Sequence, residues 1–395
     1  MSRISPFTRI DLSYRTLNDV PLKATILIPK SILAVGRGQN RKHPVMVRWH
    51  GGGFIVGHRM YEPWFAQWLL DMALSHEAII VTADYRLLPE SNGSEILSDV
   101  AHFWNWLQRT LPQYLEQNSL PGIDISNVLC CGESSGGFIS VYCALHLNCM
   151  LQPEVDIHGS GKQGTGGNML RIRAVISISA PLDATAPEYK IPRPRIFMGQ
   201  KPPPPREALG KIRAYIKGIP EGSIRTGCEP TAEMWELLLC IAQQAYLPRL
   251  FGMGTGKSKS TLEGLMETLE RGGHRMVPVW IVHGTDDTMC PAACSSGFTG
   301  HLRKTQPNVP VHLTLRPGGH LFDVDTRGDV KWVREGRHFL KEHWPQPGGK
   351  EESTSADRGL SLDKNNTHGF QPREKLDGVV ASLTGSGSSL CTGEN

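Results

Sequence analysis

The chain has 395 residues, of which 39% are hydrophobic and 20% charged, a composition that is typical of globular proteins and excludes a fully disordered chain. The 42 Lys and Arg residues against 38 Asp and Glu leave a formal charge of +4, which is too nearly balanced to favour nucleic-acid binding. No run of about 18 apolar residues is present, so no membrane-spanning helix is predicted.

Cysteine usage and the N-terminal residues bear on the cellular compartment. The nine cysteines show no paired CxxC spacing, which favours reduced thiols over disulfides or a zinc site. Cys290 and Cys294, at the start of a predicted helix, are interpreted as packed thiols. The first 14 residues lack an apolar stretch of signal-peptide length. We therefore expect a cytoplasmic protein.

Short apolar segments alternate with longer amphipathic ones along the chain. Two antiparallel strands are predicted at about 8–12 and 22–28, joined by an Asn-Asp turn. Several later strand candidates are continuous Val, Ile and Leu runs, as expected for strands buried on both faces. This alternation predicts an α/β fold with a mostly parallel central sheet flanked by helices. Further strands are predicted at 45–49, 78–83, 127–131, 174–179, 277–282 and 311–315, and helices at 62–75, 94–109, 135–149, 292–305 and 329–343.

Two internal regions and the C-terminal part depart from this alternation. Residues 152–170 are rich in glycine and predict a surface loop. Residues 184–272 lie between two predicted strands and contain three helical patterns, so they predict an inserted helical cap in a domain that spans 1–345. Residues 346–395 contain one Phe and abundant Gly, Ser, Lys and Glu, which predicts a disordered tail.

The strongest local motif is Gly132-Glu133-Ser134-Ser135-Gly136, which follows a predicted strand and precedes a predicted helix. It matches G-x-S-x-G, a turn so sharp that only small residues fit beside the central serine. Glycine and serine are also common in ordinary loops. Because the strand and helix flank the motif as such a turn requires, we predict that Ser134 is a nucleophile.

A glycine-rich loop, His50-Gly51-Gly52-Gly53, follows an earlier predicted strand. Consecutive glycines allow backbone amides to approach a substrate oxygen, as in an oxyanion hole. A plain glycine turn is the alternative interpretation. With the serine motif about 80 residues downstream, we predict an oxyanion hole made by the amides of Gly52, Gly53 and Ser135.

A nucleophilic serine needs a base and an orienting carboxylate, and candidates follow the last two strands. One strand runs into His283-Gly284-Thr285-Asp286-Asp287, and the other into Pro317-Gly318-Gly319-His320. Carboxyl ends of parallel strands gather at one edge of the sheet, where such folds place their active sites. We predict His320 as the base and His283 as a structural residue, while either Asp286 or Asp287 could be the acid.

Together these motifs resemble the hormone-sensitive-lipase-like carboxylesterases of the α/β-hydrolase fold over residues 40–345. The segment Asp84-Tyr85-Arg86-Leu87-Leu88-Pro89-Glu90 is also similar to the family pattern D-Y-R-L-x-P-E. The resemblance implies Asp287 as the acid, by its distance from the preceding glycine. It also implies ester hydrolysis without a metal or organic cofactor. Glu133 and Ser135 depart from the family, which commonly has Asp and Ala there.

The sequence thus predicts a serine hydrolase that cleaves small-molecule carboxylic esters through an acyl-enzyme. A deacylase, thioesterase, product-release or cyclising enzyme of secondary metabolism is an alternative, and a non-catalytic receptor is a further one. Residues 190–217 carry eight Lys or Arg residues but only Glu207 as an acid. This segment is either a solvated cap surface or a means of attracting an acidic substrate or an anionic lipid surface.

Overall fold

A sheet of eight strands is the centre of the computed structural model, which describes residues 2–34, 41–147, 169–252, 264–271 and 274–346. The spatial order of the strands is β1-β2-β4-β3-β5-β6-β7-β8. β1 pairs antiparallel with β2 and β2 with β4, whereas all later pairs are parallel. The strands are β1 Phe7–Leu17, β2 Val20–Pro29, β3 Lys42–Trp49, β4 Ile79–Ala83, β5 Gly122–Glu133, β6 Ile172–Ile178, β7 Val279–Gly284 and β8 Val311–Arg316.

Helices connect the strands and cover both faces of the sheet. Short irregular helical turns at Glu62–Trp64 (3₁₀) and Cys143–Leu147 (π) accompany them. The described α-helices are α1 Lys30–Ala34, α2 Gln67–Ser75, α3 Gly93–Arg109, α4 Leu111–Gln117, α5 Ser135–Tyr142, α6 Pro187–Lys190, α7 Pro205–Gly218, α8 Ala232–Gln243, α9 Leu247–Gly252, α10 Gly264–Arg271, α11 Ala292–Thr305 and α12 Lys331–Lys341.

The strand patterns explain the sheet. Every residue of β4 and of β7 is buried, as continuous apolar runs require in a sheet covered on both sides. β1 and β2 are joined by Asn18 and Asp19, both at positive φ (45° and 64°), a two-residue hairpin turn that suits Asn and Asp. The predicted mostly parallel α/β fold is confirmed. Among the described residues, no helix is both long and apolar enough to cross a bilayer.

Two hydrophobic clusters lie on opposite faces of the sheet. Alternate residues of β5 divide between them, Val128 and Cys130 on one side and Leu129 and Cys131 on the other. Because helices occupy both faces, the carboxyl edge of the parallel strands is where connecting turns can assemble a site.

Two predicted helices differ in the structure. Residues 62–75 are not one helix, because the chain becomes extended at Phe65 and Ala66 between the 3₁₀ turn and α2. This break buries the Phe65 ring, whose centroid lies 3.7 Å from the Arg48 guanidinium carbon. Of the helix predicted over 135–149, the α-helical part ends at Tyr142, and a π-helical turn follows at Cys143–Leu147. Residues 148–149, most of the predicted loop 152–170 and the tail from 347 onward lie outside the described residues.

The segment between β6 and β7 contains helices α6 to α10, with residues 253–263 and 272–273 outside the described ranges. Arg225 of this segment forms an ion pair with Glu90 at 2.7 Å, and the Tyr215 hydroxyl donates to the same carboxylate. Glu90 closes the stretch that begins at Asp84. The inserted segment is thereby fastened to the loop that follows β4, although the limits 184–272 of a cap stay a prediction.

Candidate active site

Ser134 occupies the turn between β5 and α5. Its φ is 52° and its ψ −122°, outside the regions that non-glycine residues ordinarily occupy. The Ser134 amide donates to the Ile178 carbonyl at 2.7 Å, which ties the turn to β6. Helix α5 begins at Ser135, so its free amides and the positive end of its dipole lie beside the serine.

Two glycines make this turn possible. A Cβ on Gly132 would lie 2.4 Å from the Gly136 carbonyl, and one on Gly136 would lie 2.1 Å from the Trp49 carbonyl oxygen. Both distances are below van der Waals contact with backbone atoms, which cannot move aside. The motif therefore requires glycine at both positions for steric reasons.

The glycine-rich loop after β3 approaches Ser134 from the other side. Gly52 and Gly53 have φ values of 99° and 61°, and a Cβ on Gly52 would lie 2.0 Å from the Val56 carbonyl oxygen. A Cβ on Gly53 would lie 2.6 Å from the Leu238 Cδ1 of α8. The loop thus exposes backbone in a conformation that side chains would block.

Buried polar contacts fix this loop. The Glu133 carboxylate accepts from the Gly51 amide at 2.9 Å and from Arg48 Nη2 at 2.6 Å. Burial raises the pKa of Glu133 to about 7, against the opposing effect of the Arg48 charge. Glutamate, longer than the family's aspartate, therefore connects the serine turn to the glycine loop.

His50 supports the same loop. Its Nδ1 lies 2.8 Å from the Gly51 carbonyl oxygen, and its ring stacks on Tyr85 with centroids 4.3 Å apart. Burial lowers the pKa of His50 to about 3, so the imidazole is neutral. Arg86 and Asp84 brace neighbouring loops. Arg86 Nε forms an ion pair with Asp99 Oδ2 at 2.8 Å, and Asp84 Oδ1 accepts from the Arg59 amide at 2.7 Å.

The turns after β7 and β8 bring a carboxylate and an imidazole together. Asp287 Oδ2 lies 2.7 Å from His320 Nδ1, and Asp287 Oδ1 accepts from the amides of Met289 and Cys290 at 2.8 and 2.9 Å. Burial acts to raise the pKa of Asp287. The hydrogen bonds from His283 and His320 outweigh it and hold that pKa well below its ordinary value. Asp287 is therefore ionised.

Asp286 makes a different contact. Its Oδ2 accepts from the Gly318 amide at 2.9 Å, which connects the two turns through the backbone. Of the two acids that the sequence left open, Asp287 is the one in contact with the imidazole. His283 is fully buried, with Nδ1 2.7 Å from the Ser295 hydroxyl and Nε2 2.9 Å from the Cys290 carbonyl oxygen.

All but one of the predicted site residues line one cavity. Gly52, Gly53, Ser134, Ser135 and His320 line it, and Asp287 stands behind His320. Much of the remaining lining is apolar and comes from the inserted segment and the glycine loop. It includes Phe54, Trp64, Trp235, Leu238, Ile241 and Leu247, and the turn after β7 adds Met289.

Sequence reasoning missed several lining residues. Tyr189 and Glu188 carried no motif, and Cys290 was interpreted only as a packed thiol, although it lines the cavity beside Ser134. Trp64 faces the cavity, while its neighbours Phe65 and Trp68 are buried in the core. Apolar residues at helical spacing give no signal that distinguishes these two destinations. Within the described residues, no cluster of His, Cys, Asp and Glu suits a metal ion.

Known proteins are similar to this chain in sequence or in fold. A family model described as the α/β hydrolase fold matches residues 46–204. The chain is 41% identical to the probable carboxylesterase M8 of a Phoma species over 344 residues, which cover 87% of this chain and 98% of that protein. The chain belongs to this carboxylesterase family of α/β hydrolases. The family resemblance seen in the sequence is thereby confirmed.

Two other similarities are more distant. Non-reducing polyketide synthase Preu6 of Preussia isomera is 27% identical over 351 residues, which cover 83% of this chain but 14% of the synthase. The crystal structure of esterase B from Lactobacillus rhamnosis has a TM-score of 0.51 and 16% identity, and the match covers 85% of this chain and 84% of that one. At that identity the likeness supports the fold alone.

Proposed function

We propose that this protein is a serine carboxylesterase in which Ser134, His320 and Asp287 form the catalytic triad. The observation that carries the proposal is the 2.7 Å contact between Asp287 Oδ2 and His320 Nδ1. His320 lines a cavity that Ser134 also lines, and Ser134 lies in a turn where its own φ is positive. A strained serine between a strand and a helix, at the same cavity as an imidazole that is paired with a carboxylate, suits acyl transfer.

In the proposed reaction, Asp287 binds Nδ1 of His320, so Nε2 is the nitrogen that accepts the Ser134 proton. The Ser134 oxygen attacks the ester carbonyl, and the amides of Gly52, Gly53 and Ser135 stabilise the oxyanion. Each such donor is worth about 2.7–4 kcal/mol in comparable sites. His320 then protonates the leaving alcohol, and water activated by the same imidazole releases the acid.

A second candidate is release of a thioester-bound product. It is favoured by the alignment of 83% of this chain with a 14% portion of a polyketide synthase, an assembly that contains a region of this type. The triad would act identically on a thioester, because the difference lies in the leaving group. Comparing an oxygen ester and an N-acetylcysteamine thioester of the same acyl group discriminates between the two.

A fluorophosphonate probe tests the nucleophile. We expect stoichiometric covalent labelling of Ser134 in the wild type, and neither labelling nor p-nitrophenyl butyrate hydrolysis above about 10⁻⁴ of the wild-type rate in Ser134→Ala. Ser98→Ala, in α3 and outside the cavity lining, serves as the matched control. Hydrolysis at the wild-type rate by folded Ser134→Ala would overturn the assignment.

A further inference from the structure

One wall of the cavity differs from its apolar surroundings. Glu188, Tyr189 and Arg195, which we call the polar wall, all come from the start of the inserted segment. The sequence offered a solvated cap surface as one interpretation of the eight basic residues between 190 and 217. Arg195 is one of these eight, but it lines the cavity, so that interpretation does not apply to Arg195.

Arg195 is held in a fixed orientation. Its Nη2 donates to the Thr288 carbonyl at 2.9 Å, and its guanidinium carbon lies 4.6 Å from the Phe197 ring centroid. A guanidinium has five N–H donors on three nitrogens, and these protein contacts use one nitrogen. The planar fork of donors that remains suits a carboxylate.

The charges around Arg195 leave a surplus of one positive charge. Glu188 pairs with Arg193 at 2.5 Å, so its carboxylate is already neutralised before Arg195 is counted. Burial acts to lower the pKa of the Arg195 guanidinium, which reflects the cost of holding a cation away from water. An anion bound in the cavity would offset that cost.

Tyr189 supplies a second donor. Its hydroxyl is buried and has no oxygen or nitrogen partner within the described residues; beside it lies the Cys290 thiol, which is a weak hydrogen-bonding group. The nearby Cys290 thiol also lies beside the Ser134 hydroxyl, so the tyrosine oxygen is close to the reacting serine. A carboxylate oxygen of the substrate would be a stronger acceptor for this hydroxyl than the thiol.

We infer that Tyr189 and Arg195 form a subsite for a carboxylate of the substrate, and that the substrates are esters with an apolar body and an acidic group. This inference rests on the proposed esterase function. The apolar lining would enclose the body of the substrate, while the polar wall would bind its carboxylate.

Matched ester pairs test the subsite. On the acyl side, mono-p-nitrophenyl adipate is compared with p-nitrophenyl hexanoate; on the alcohol side, 4-carboxyphenyl butyrate is compared with 4-carbamoylphenyl butyrate. We expect the wild type to prefer the anionic member of at least one pair. Arg195→Gln should lower kcat/KM for that member about tenfold or more beyond its effect on the neutral partner, as a lost charge-assisted hydrogen bond implies.

Three further variants separate recognition from support of the fold. Arg195→Lys should keep part of the preference, because it retains the charge but loses the planar fork. Tyr189→Phe should lower the preference by a smaller factor. Arg213→Gln, an exposed cation on α7, should leave it unchanged. If Arg195 only supports the Thr288 turn, Arg195→Gln will impair both members of each pair equally, and the inference is wrong.

A binding measurement distinguishes failure of the subsite from failure of the proposed function. Trp64 and Trp235 line the cavity, so tryptophan fluorescence can report binding of monomethyl adipate and of methyl hexanoate to Ser134→Ala. Tighter binding of the acid that disappears on adding Arg195→Gln would support the subsite even if the wild type hydrolyses no ester. Equal binding of the two compounds, together with no preference in either ester pair, would overturn it.

Discussion

One histidine lies at the end of β7 and another in the turn after β8, and both imidazoles contact the same carboxylate. His283 Nε2 lies 3.2 Å from Asp287 Oδ2, and His320 Nδ1 lies 2.7 Å from it. His283 is fully buried, and its other contacts are the Ser295 hydroxyl and the Cys290 carbonyl. His320 instead reaches the cavity. Contact with the acid therefore does not distinguish a structural imidazole from a candidate base, whereas access of the second nitrogen to the cavity does.

Replacing the two histidines should give the largest contrast. We expect His320→Gln to lower kcat/KM for p-nitrophenyl butyrate by about 10⁴-fold or more, because the proton acceptor is lost. Its free energy of unfolding should fall by no more than that of the His283 variant, because the glutamine amide can still donate to Asp287. Ester hydrolysis and urea unfolding, measured on the same preparations, provide both quantities.

His283→Gln is the matched variant for this test. It leaves the buried Ser295 hydroxyl and Cys290 carbonyl with poorer partners, so we expect a loss of about 1–3 kcal/mol in the free energy of unfolding. Its activity should fall far less than that of His320→Gln. Equal losses of activity in two folded variants would mean that the distinction between the two histidines is mistaken.

The neighbouring acids sharpen the comparison further. Asp287→Asn should lower kcat by about 10³- to 10⁴-fold, because the amide neither fixes the imidazole tautomer nor stabilises its cation. Asp286→Asn keeps an oxygen that can accept from the Gly318 amide, so we expect at most about a tenfold loss. Steady-state kinetics of the two variants decide between the acids, and the reverse order would assign the role to Asp286.

A smaller effect is expected in the pH dependence of stability. The pKa of Asp287 is lowered from its ordinary 3.8 in the folded protein, so the unfolded chain binds a proton more readily. The resulting stabilisation is fully present above the unfolded pKa and is lost as the pH falls through the lower, folded value. Urea unfolding between pH 6 and pH 3 should therefore show a weaker acid destabilisation in Asp287→Asn. A difference between the two proteins that is constant with pH would contradict this.

Much of the fold could be predicted because the strands carry strong local signals. The runs that became β4 and β7 are mainly apolar and fully buried, and the Asn-Asp turn before β2 needs positive φ at both residues. The helix predicted over 62–75 was wrong because propensity and spacing cannot report that burial of Phe65 interrupts the helix. Such a break is decided by tertiary packing.

The cavity was harder to predict than the motifs around it. Gly132 and Gly136 are dictated by backbone clearance, which leaves a recognisable spacing in the sequence. Tyr189 and Arg195 reach the cavity only because the inserted segment folds back over the sheet edge, and neither lies in a motif. Residues that are brought together by tertiary structure alone leave no periodic signal. The residues that would recognise the substrate are therefore harder to predict from the sequence than those proposed to carry out the reaction.

The contact between Gly53 and Leu238 carries a consequence for altering the enzyme. A methyl group added to the glycine would lie 2.6 Å from the leucine Cδ1, so the loop whose amides we propose to bind the oxyanion packs closely against a helix that lines the cavity. Enlarging the leucine to exclude a bulky substrate would push on the same backbone amides. If these amides bind the oxyanion as proposed, a larger residue at position 238 would change the rate as well as the substrate range.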